Sequence, residues 1–141
     1  MGSSPQPASG IDPSRATQHQ GFMTIVNLED KFSMFSEHWT PKVIAEMNDY
    51  QFKLVKIEGE FVWHQHEDTD EVFIVIKGTM HIEFEDHTLT LEAGEMVVVP
   101  KGVRHKPYAE DECCVMLVEP RGVVNTGETA GDLTAENDIW I

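Results

Sequence analysis

The sequence predicts an all-β fold, an antiparallel sandwich or barrel preceded by one short helix. From Lys42 onward, apolar and polar residues alternate with a period of two. Turn residues separate these alternating runs at Asn48-Asp49, Lys77-Gly78, Asp86-His87, Ala93-Gly94-Glu95 and Lys101-Gly102. The runs are short and closely spaced, which leaves little room for helices. Strands are predicted at 42–47, 50–57, 60–65, 71–76, 79–84, 88–91, 96–99, 103–107 and 113–119.

The beginning of the chain differs in character from the rest. Residues 1–22 are rich in Ser, Pro, Gly and Gln and show no apolar period, so we expect a disordered leader there. Such a leader is typical of a segment added for expression or of an alternative start, with Met23 as the native start. A single domain is expected over residues 23–141, with its barrel core at about 42–119.

One helix is predicted before the first strand. Apolar residues recur at helical spacing at Leu28, Phe32 and Phe35. Asn27 can cap the first exposed amides, and Pro41 ends the helical stretch, so the helix is expected from Asn27 to about Trp39.

Charge and composition exclude several classes of partner. The chain has 25 Asp and Glu against 10 Lys and Arg, a formal net charge of -15. Nucleic acid is therefore not an expected partner, because contact with phosphates depends on basic side chains that displace counterions. The sequence has no apolar run of the ~20 residues that a membrane-spanning helix needs and no signal-peptide core, so we expect a cytoplasmic protein without a membrane partner. Cys113 and Cys114 are expected to stay reduced, since neighbours in a strand point to opposite faces.

Two predicted strands indicate where the interior lies. In 79–84, Met80 and Ile82 alternate with polar residues such as His81, so one face is dry and the other is wet. In 71–76 both faces are apolar, so both must be covered. One cover is the barrel interior, and the other is the N-terminal helix or a partner subunit. We favour the partner subunit and predict a homodimer.

Three histidines and one glutamate have the spacing of a metal site. His64 and His66 are two residues apart in a strand, which directs both imidazoles to one face about 7 Å apart along the chain. Glu71 opens the next strand, and its carboxylate would offset the charge of a divalent cation. His105 adds a third imidazole from a strand entered through a Pro/Gly turn. These four residues predict a site for Zn, Mn, Fe or Ni with one or two positions open to water or substrate.

These residues resemble the two conserved motifs of the cupin superfamily. The first motif is Gly, His-x-His, three or four residues, Glu, six residues and Gly, although the first interval here is one residue shorter than usual. It is matched at Gly59, His64, His66, Glu71 and Gly78. The second motif is Gly, five residues, Pro-x-Gly, two residues, His, three residues and Asn. It is matched at Gly94, Pro100, Gly102 and His105, with Ala109 at the position of the Asn, which is not a metal ligand.

The resemblance implies an antiparallel jelly-roll β-barrel that binds a metal ion. It leaves the reaction open, because similar sites occur in isomerases, dioxygenases, lyases, decarboxylases, sugar-binding regulators and seed storage proteins. Small cupins of this kind are often associated with sugar isomerase chemistry such as that on mannose 6-phosphate. We therefore expect a small-molecule enzyme, either a sugar-type isomerase or a metal-dependent oxygenase. The alternative is a non-catalytic module that binds a sugar or another small ligand.

Two side chains outside the ligand set are candidate catalytic groups. Tyr108 lies three residues past His105 and could reach the pocket as a hydrogen-bond donor or acid, or it could lie at the barrel rim with its hydroxyl in water. Glu60 is the other candidate proton shuttle. Phe73 is expected to point inward beside the metal, where some cupin lyases of similar motif carry a Tyr base, so that lyase mechanism is disfavoured.

The remaining histidines and the basic residues are expected to be ordinary structural residues. A lone histidine is usually a hydrogen-bonded core or surface residue, as we expect for His19, His38, His81 and His87. Five basic residues could collect an anionic substrate at the barrel mouth, although a solvated surface is expected for most of them. They are Lys53, Lys56, Lys101, Arg104 and Lys106.

Overall fold

The computed structural model describes residues 23–141, so the predicted leader at residues 1–22 lies outside the described residues and the domain boundary at Met23 stays a prediction. Within that range, one short helix, α1 (Leu28–Phe32), precedes seven strands. The strands are β1 (Lys42–Met47), β2 (Tyr50–Glu60), β3 (Glu71–Lys77), β4 (Thr79–Glu83), β5 (Thr88–Glu92), β6 (Met96–Val99) and β7 (Lys106–Pro120).

The strands form the antiparallel arrangement that the sequence predicts. Five of them are hydrogen-bonded in the order β1-β2-β7-β3-β6, and β7 also pairs with β4, which pairs with β5. The long strand β7 makes this possible because its two halves have different neighbours. Residues 106–108 pair with β4, whereas residues 114–118 pair with β3. One strand thereby joins both sides of the barrel around a common core, and the predicted all-β fold is confirmed.

Three of the predicted strands differ from those in the structure. The predicted strand 60–65 is absent as a separate element, because β2 continues through a bulge to Glu60 and His64 then forms a single bridge to His105. The predicted strands 103–107 and 113–119 become one strand, β7. Between them the register with β2 jumps, so the acidic residues 110–112 bulge out without ending the strand.

The helix is shorter than predicted. Its start is confirmed, since the Asn27 side chain accepts a hydrogen bond from the backbone N–H of Asp30 at 2.9 Å. It ends at Phe32 rather than near Trp39. Trp39 has a φ of 60° and its N–H donates to the carbonyl of Lys56 at 2.9 Å, so the chain pairs with β2 instead of continuing the helix.

The second apolar face of β3 is only partly covered. Its outward side chains, Val72, Ile74 and Ile76, are half-buried. Phe32 and Phe35 of the N-terminal segment pack in a satellite core that includes Ile76, so this segment covers one end of the face. The predicted homodimer, which would cover the rest, stays a prediction.

Two further expectations concern the cysteines and the membrane. Cys113 and Cys114 are both free, and burial raises the pKa of Cys113 to about 12, so its thiol is neutral. No helix among the described residues is long and apolar enough to cross a bilayer. The cytoplasmic location stays a prediction.

Candidate metal centre

The structure brings together the four residues predicted as metal ligands. His64, His66, Glu71 and His105 are between 1% and 8% exposed, and one potential ligand atom from each lies within 4.8 Å of all the others. Two ligands on opposite sides of an ion at about 2.1 Å are about 4.2 Å apart, so a small contraction suffices for a shared ion. The group could hold a metal ion.

Backbone hydrogen bonds hold the two sequence motifs against each other. His64 and His105 exchange both backbone hydrogen bonds, at 3.0 and 2.9 Å. The N–H of Gly102 in the Pro/Gly turn donates to the carbonyl of His66 at 2.8 Å. Glu71 enters from the side, as the first residue of β3. Side chains far apart in sequence therefore meet because the motif backbones are paired.

The same backbone fixes which nitrogen of the His64 and His105 rings faces the group. The Nδ1 of His64 lies 3.0 Å from the carbonyl of Val62, and the Nδ1 of His105 lies 2.9 Å from the carbonyl of Val103. A carbonyl only accepts hydrogen bonds, so each Nδ1 carries the proton and donates it. Each Nε2 is then left unprotonated, and this is the tautomer that binds a metal through Nε2.

Several buried polar atoms of the group have no hydrogen-bond partner. Five such side-chain atoms occur among the described residues, and three of them are His66 Nε2, His105 Nε2 and Glu71 Oε1. The Nε2 atoms of His66 and His105 lie 3.4 and 3.6 Å from the Glu71 carboxylate oxygens, too far for good hydrogen bonds. Leaving buried polar atoms unsatisfied is costly, and a cation between them would satisfy all three. The donor set therefore fits a divalent metal ion.

Electrostatics at the site favour the protonation states that bind metal. Burial, followed by the proximity of His105, lowers the pKa of His64 to about 4. Burial alone would raise the pKa of Glu71, but the proximity of His105 and His66 outweighs it and holds that pKa well below its usual value. At neutral pH, His64 is neutral and Glu71 is ionised, as metal ligation requires.

A buried ion pair that sequence reasoning missed lies next to Glu71. The Nζ of Lys53 is 2.8 Å from Glu119 Oε1, and the two side chains are 3% and 1% exposed. Burial and the charge of Glu71 raise the pKa of Glu119, while Lys53 opposes that rise. Lys53 thus departs from the solvated surface expected for most of the basic residues. A signal was present in the sequence, because Lys53 shares the inward face of β2 with Val55.

His64 and Glu71 form one wall of a cavity inside the barrel. Phe73 also points into it, as predicted, and its ring lies 6.0 Å from that of His105. The cavity has an empty volume of about 390 Å³, part of it at the open mouth. Its other lining residues are Trp39, Pro41, Val55, Ile57, Phe61, Met80, Pro107, Val115, Leu117 and Asn125.

The structure does not bring Tyr108 or Glu60 to this cavity. The buried neighbour Pro107 faces the interior, so alternation along β7 turns Tyr108 outward, where its ring stacks on His81 at 4.7 Å. Glu60 is 70% exposed and pairs with Lys106 at 3.2 Å. Neither residue lines the cavity, and a catalytic role for either stays a prediction.

The three other described histidines have side-chain partners, as expected for structural residues. The pairs are His38 with Glu112 at 2.7 Å, His81 with Thr90 at 2.8 Å and His87 with Asp86 at 2.6 Å. The expectation for His19 lies outside the described residues.

Comparison with known proteins agrees with this fold and site. The family pattern for the cupin domain matches residues 52–120. A cupin-2 domain containing protein from Shewanella frigidimarina is 67% identical, with a TM-score of 0.69, over 69% of this chain and 95% of that one. The protein belongs to the cupin family. This cupin therefore has the jelly-roll barrel that its motifs implied.

Two further relatives support the assignment of this cupin. Protein NMB1881 from Neisseria meningitidis is 37% identical with a TM-score of 0.64, over 69% of this chain and 99% of that one. The uncharacterized protein YdbB of Bacillus subtilis (strain 168) is 37% identical over 89 residues, which is 62% of this chain and 73% of that protein.

Proposed function

We propose that this cupin is a metal-dependent enzyme whose small-molecule substrate binds between the metal ion and the apolar cavity. The observation that carries the proposal is that His64 and Glu71 belong both to the ligand group and to the cavity wall. His64, His66, Glu71 and His105 would hold the ion. When bound, the ion supplies a Lewis acid for substrate oxygens or, if it is redox-active, a site for dioxygen chemistry.

The lining of the cavity supports an oxygenase ahead of a sugar isomerase. An isomerase moves a proton between carbon atoms and needs an acid–base side chain within hydrogen-bond reach of the substrate. Apart from His64 and Glu71, the proposed ligands, the described side chains that line the cavity do not titrate near neutral pH. Tyr108 and Glu60, the candidate proton shuttles, lie elsewhere. Oxidation at a redox-active ion does not require a separate shuttle.

The same scarcity of acid–base groups supports a second candidate function. A non-catalytic module would use the ion and the cavity to bind a small ligand without transforming it. Metal identity and oxygen uptake separate the two candidates.

The test begins with the metal content of protein purified without added metal. We expect iron, together with oxygen consumption on a panel of small diols and keto acids. The double variant Glu71→Gln/His66→Ala should lose both, whereas His87→Ala, at an exposed position, should keep both. Zinc or manganese would favour the isomerase instead. If the folded protein holds no metal and consumes no oxygen, the non-catalytic binding module would be the remaining candidate function.

A further inference from the structure

The polar groups of the cavity wall are already engaged within the protein. The side-chain amide of Asn125 donates to the carbonyls of Trp39 at 3.1 Å and Leu133 at 2.8 Å. Its Oδ1 accepts from the N–H of Ala135 at 2.9 Å. Asn125 therefore positions the C-terminal segment against the barrel and has little capacity left for a ligand.

The indole of Trp39 is engaged in the same way. Its Nε1–H donates to the carbonyl of Glu58 at 3.0 Å, so the ring offers the cavity only apolar surface. Trp39 stacks on Phe61 with ring centres 4.6 Å apart and an angle of 18° between planes. The two rings form one flat, rigid part of the wall. With Asn125 and Trp39 engaged, the atoms left to bind a polar group are those of the metal-ligand set.

Among residues 23–141, no lysine or arginine side chain lines the cavity. The buried Lys53 is engaged by Glu119 at 2.8 Å. A phosphorylated ligand would therefore lack a counter-charge apart from the ion. A sugar would bury several hydroxyl groups without hydrogen-bond partners, which is unfavourable.

The size of the cavity limits the apolar part of the ligand. Its empty volume of about 390 Å³ includes the open mouth. This volume is at the small end of the range for ligand pockets, so the apolar part of the ligand must be compact. Met80 lies in the wall and is 1% exposed, and its unbranched side chain adapts readily to the shape of a ligand.

We infer that the ligand is a compact molecule with two unlike ends. One end carries one or two oxygens that bind the ion, and the other is a compact apolar body that enters the cavity. This inference rests on the proposed function, since the ion is the polar anchor. It disfavours sugars and sugar phosphates as substrates, and with them the sugar-type isomerase.

A second approach to the site leads to a different surface. His66 lies at the edge of a groove between residues 65–69 and 120–128, whose charged side chains include Glu67, Asp68 and Glu128. Arg121 also lines the groove, and both carboxylate oxygens of Glu46 accept hydrogen bonds from it at 3.0 and 2.8 Å. Anions are unfavourable in this groove because of its acidic side chains. Of the metal-ligand group, the groove contacts His66, whereas the cavity contacts both His64 and Glu71, so we place the ligand in the cavity.

Two hydroxamates test the inference, because they share one metal-binding group and differ only in their apolar body. Acetohydroxamate and benzohydroxamate are titrated into the metal-loaded protein by calorimetry. Burial of the phenyl ring should make benzohydroxamate bind about tenfold or more tightly than acetohydroxamate. Equal affinities would overturn the inferred ligand class and leave the proposed metal-dependent function intact. Tighter binding of mannose 6-phosphate than of benzohydroxamate would do the same. Failure of both hydroxamates to bind protein with a full complement of metal would instead overturn the proposed function.

A matched pair of variants locates the apolar end. Val115 lines the cavity and is 0% exposed, and Val115→Thr keeps its shape while replacing one methyl group by a hydroxyl. This variant should weaken benzohydroxamate about three- to tenfold and leave acetohydroxamate unchanged. Val98→Thr changes the same residue type at a 49% exposed position outside the cavity and should alter neither affinity. Equal effects of the two variants would overturn the placement. If Val115→Thr does not fold, the ratio of the benzohydroxamate and acetohydroxamate affinities of the unmodified protein still tests the inferred ligand class.

Discussion

The histidines of this cupin form two groups that differ in what their ring nitrogens contact. His38, His81 and His87 each have a carboxylate or hydroxyl side chain within 2.6 to 2.8 Å. In the metal-ligand group, His66 Nε2 and His105 Nε2 are buried without a partner. The difference teaches that the protein supplies side-chain partners for its outer histidines and leaves two ring nitrogens of the buried group without a partner. A buried ring nitrogen without a partner marks the place of a ligand that the chain does not encode.

The largest effect is expected from removing a histidine of the core group. His105→Ala should reduce the metal content from about one ion per chain to background. The three ligands that remain would leave one side of the ion without a protein ligand. The increase in Tm on adding metal to the stripped protein should disappear with it. Mass spectrometry of the metal and thermal unfolding with and without chelator measure both.

His81→Ala is the matched control for that experiment. His81 is half-buried and bound to Thr90, so its removal should leave the metal content unchanged. Normal metal content in His105→Ala, or an equal loss in His81→Ala, would contradict the assignment of metal binding to the buried histidines alone.

A smaller effect is expected where the core does contain its own partner. Lys53→Met leaves Glu119 buried beside Glu71 without a cation, and should lower the free energy of unfolding by about 3 kcal/mol. This is the low end of the usual range, since Glu119 can take up a proton. Urea denaturation measures the loss. Lys101→Met removes an exposed lysine and should have little effect. Equal stabilities of the two variants would mean that the buried pair contributes nothing.

The ligand group was predictable from the sequence, whereas its surroundings were only partly so. Motif spacing and period-two alternation identify His64 and His105, because both depend on local backbone geometry. The same alternation places Lys53 inside the barrel, but a lone lysine carries no sign of its partner. Asn125 could not be foreseen, since the polar tail has no period and its position depends on contacts with Trp39, far away in the chain. The outward direction of Tyr108 follows from a strand that continues where a break was expected.

The pH dependence of stability should also separate the two groups of histidines. The pKa of His64 lies near 4 in the folded protein and at 6.5 when unperturbed. Between these values the unfolded chain binds a proton that the native chain does not, so stability rises with pH. Acidification of the metal-free protein from pH 6.5 to 4 should therefore cost up to about 3 kcal/mol through His64, at about 1.4 kcal/mol per pH unit. Urea denaturation across this window measures the slope.

His64→Asn should flatten that slope, because the amide does not titrate, while carboxylates common to both proteins cancel in the difference. The matched variant His81→Asn, at a position where the ring contacts the neutral hydroxyl of Thr90, should keep the slope of the unmodified protein. If His64→Asn keeps the same dependence of unfolding free energy on pH, burial does not lower the pKa of His64.

The smallest change in stability is expected at Gly127, where the C-terminal segment packs against Gln65 and His66. Gly127 has a φ of 59°, and a Cβ there would overlap the carbonyl oxygen of Gln65 and lie 3.5 Å from His66 Nδ1. Gly127→Ala should cost about 2 kcal/mol in the free energy of unfolding and weaken metal binding as well, since His66 must shift with Gln65. Gly122→Ala has a similar positive φ, 91°, but open space around its Cβ. It should cost only about 1 kcal/mol and leave metal affinity unchanged. Because the two variants share the backbone penalty, a difference in metal affinity isolates the contact of this segment with the ligand group.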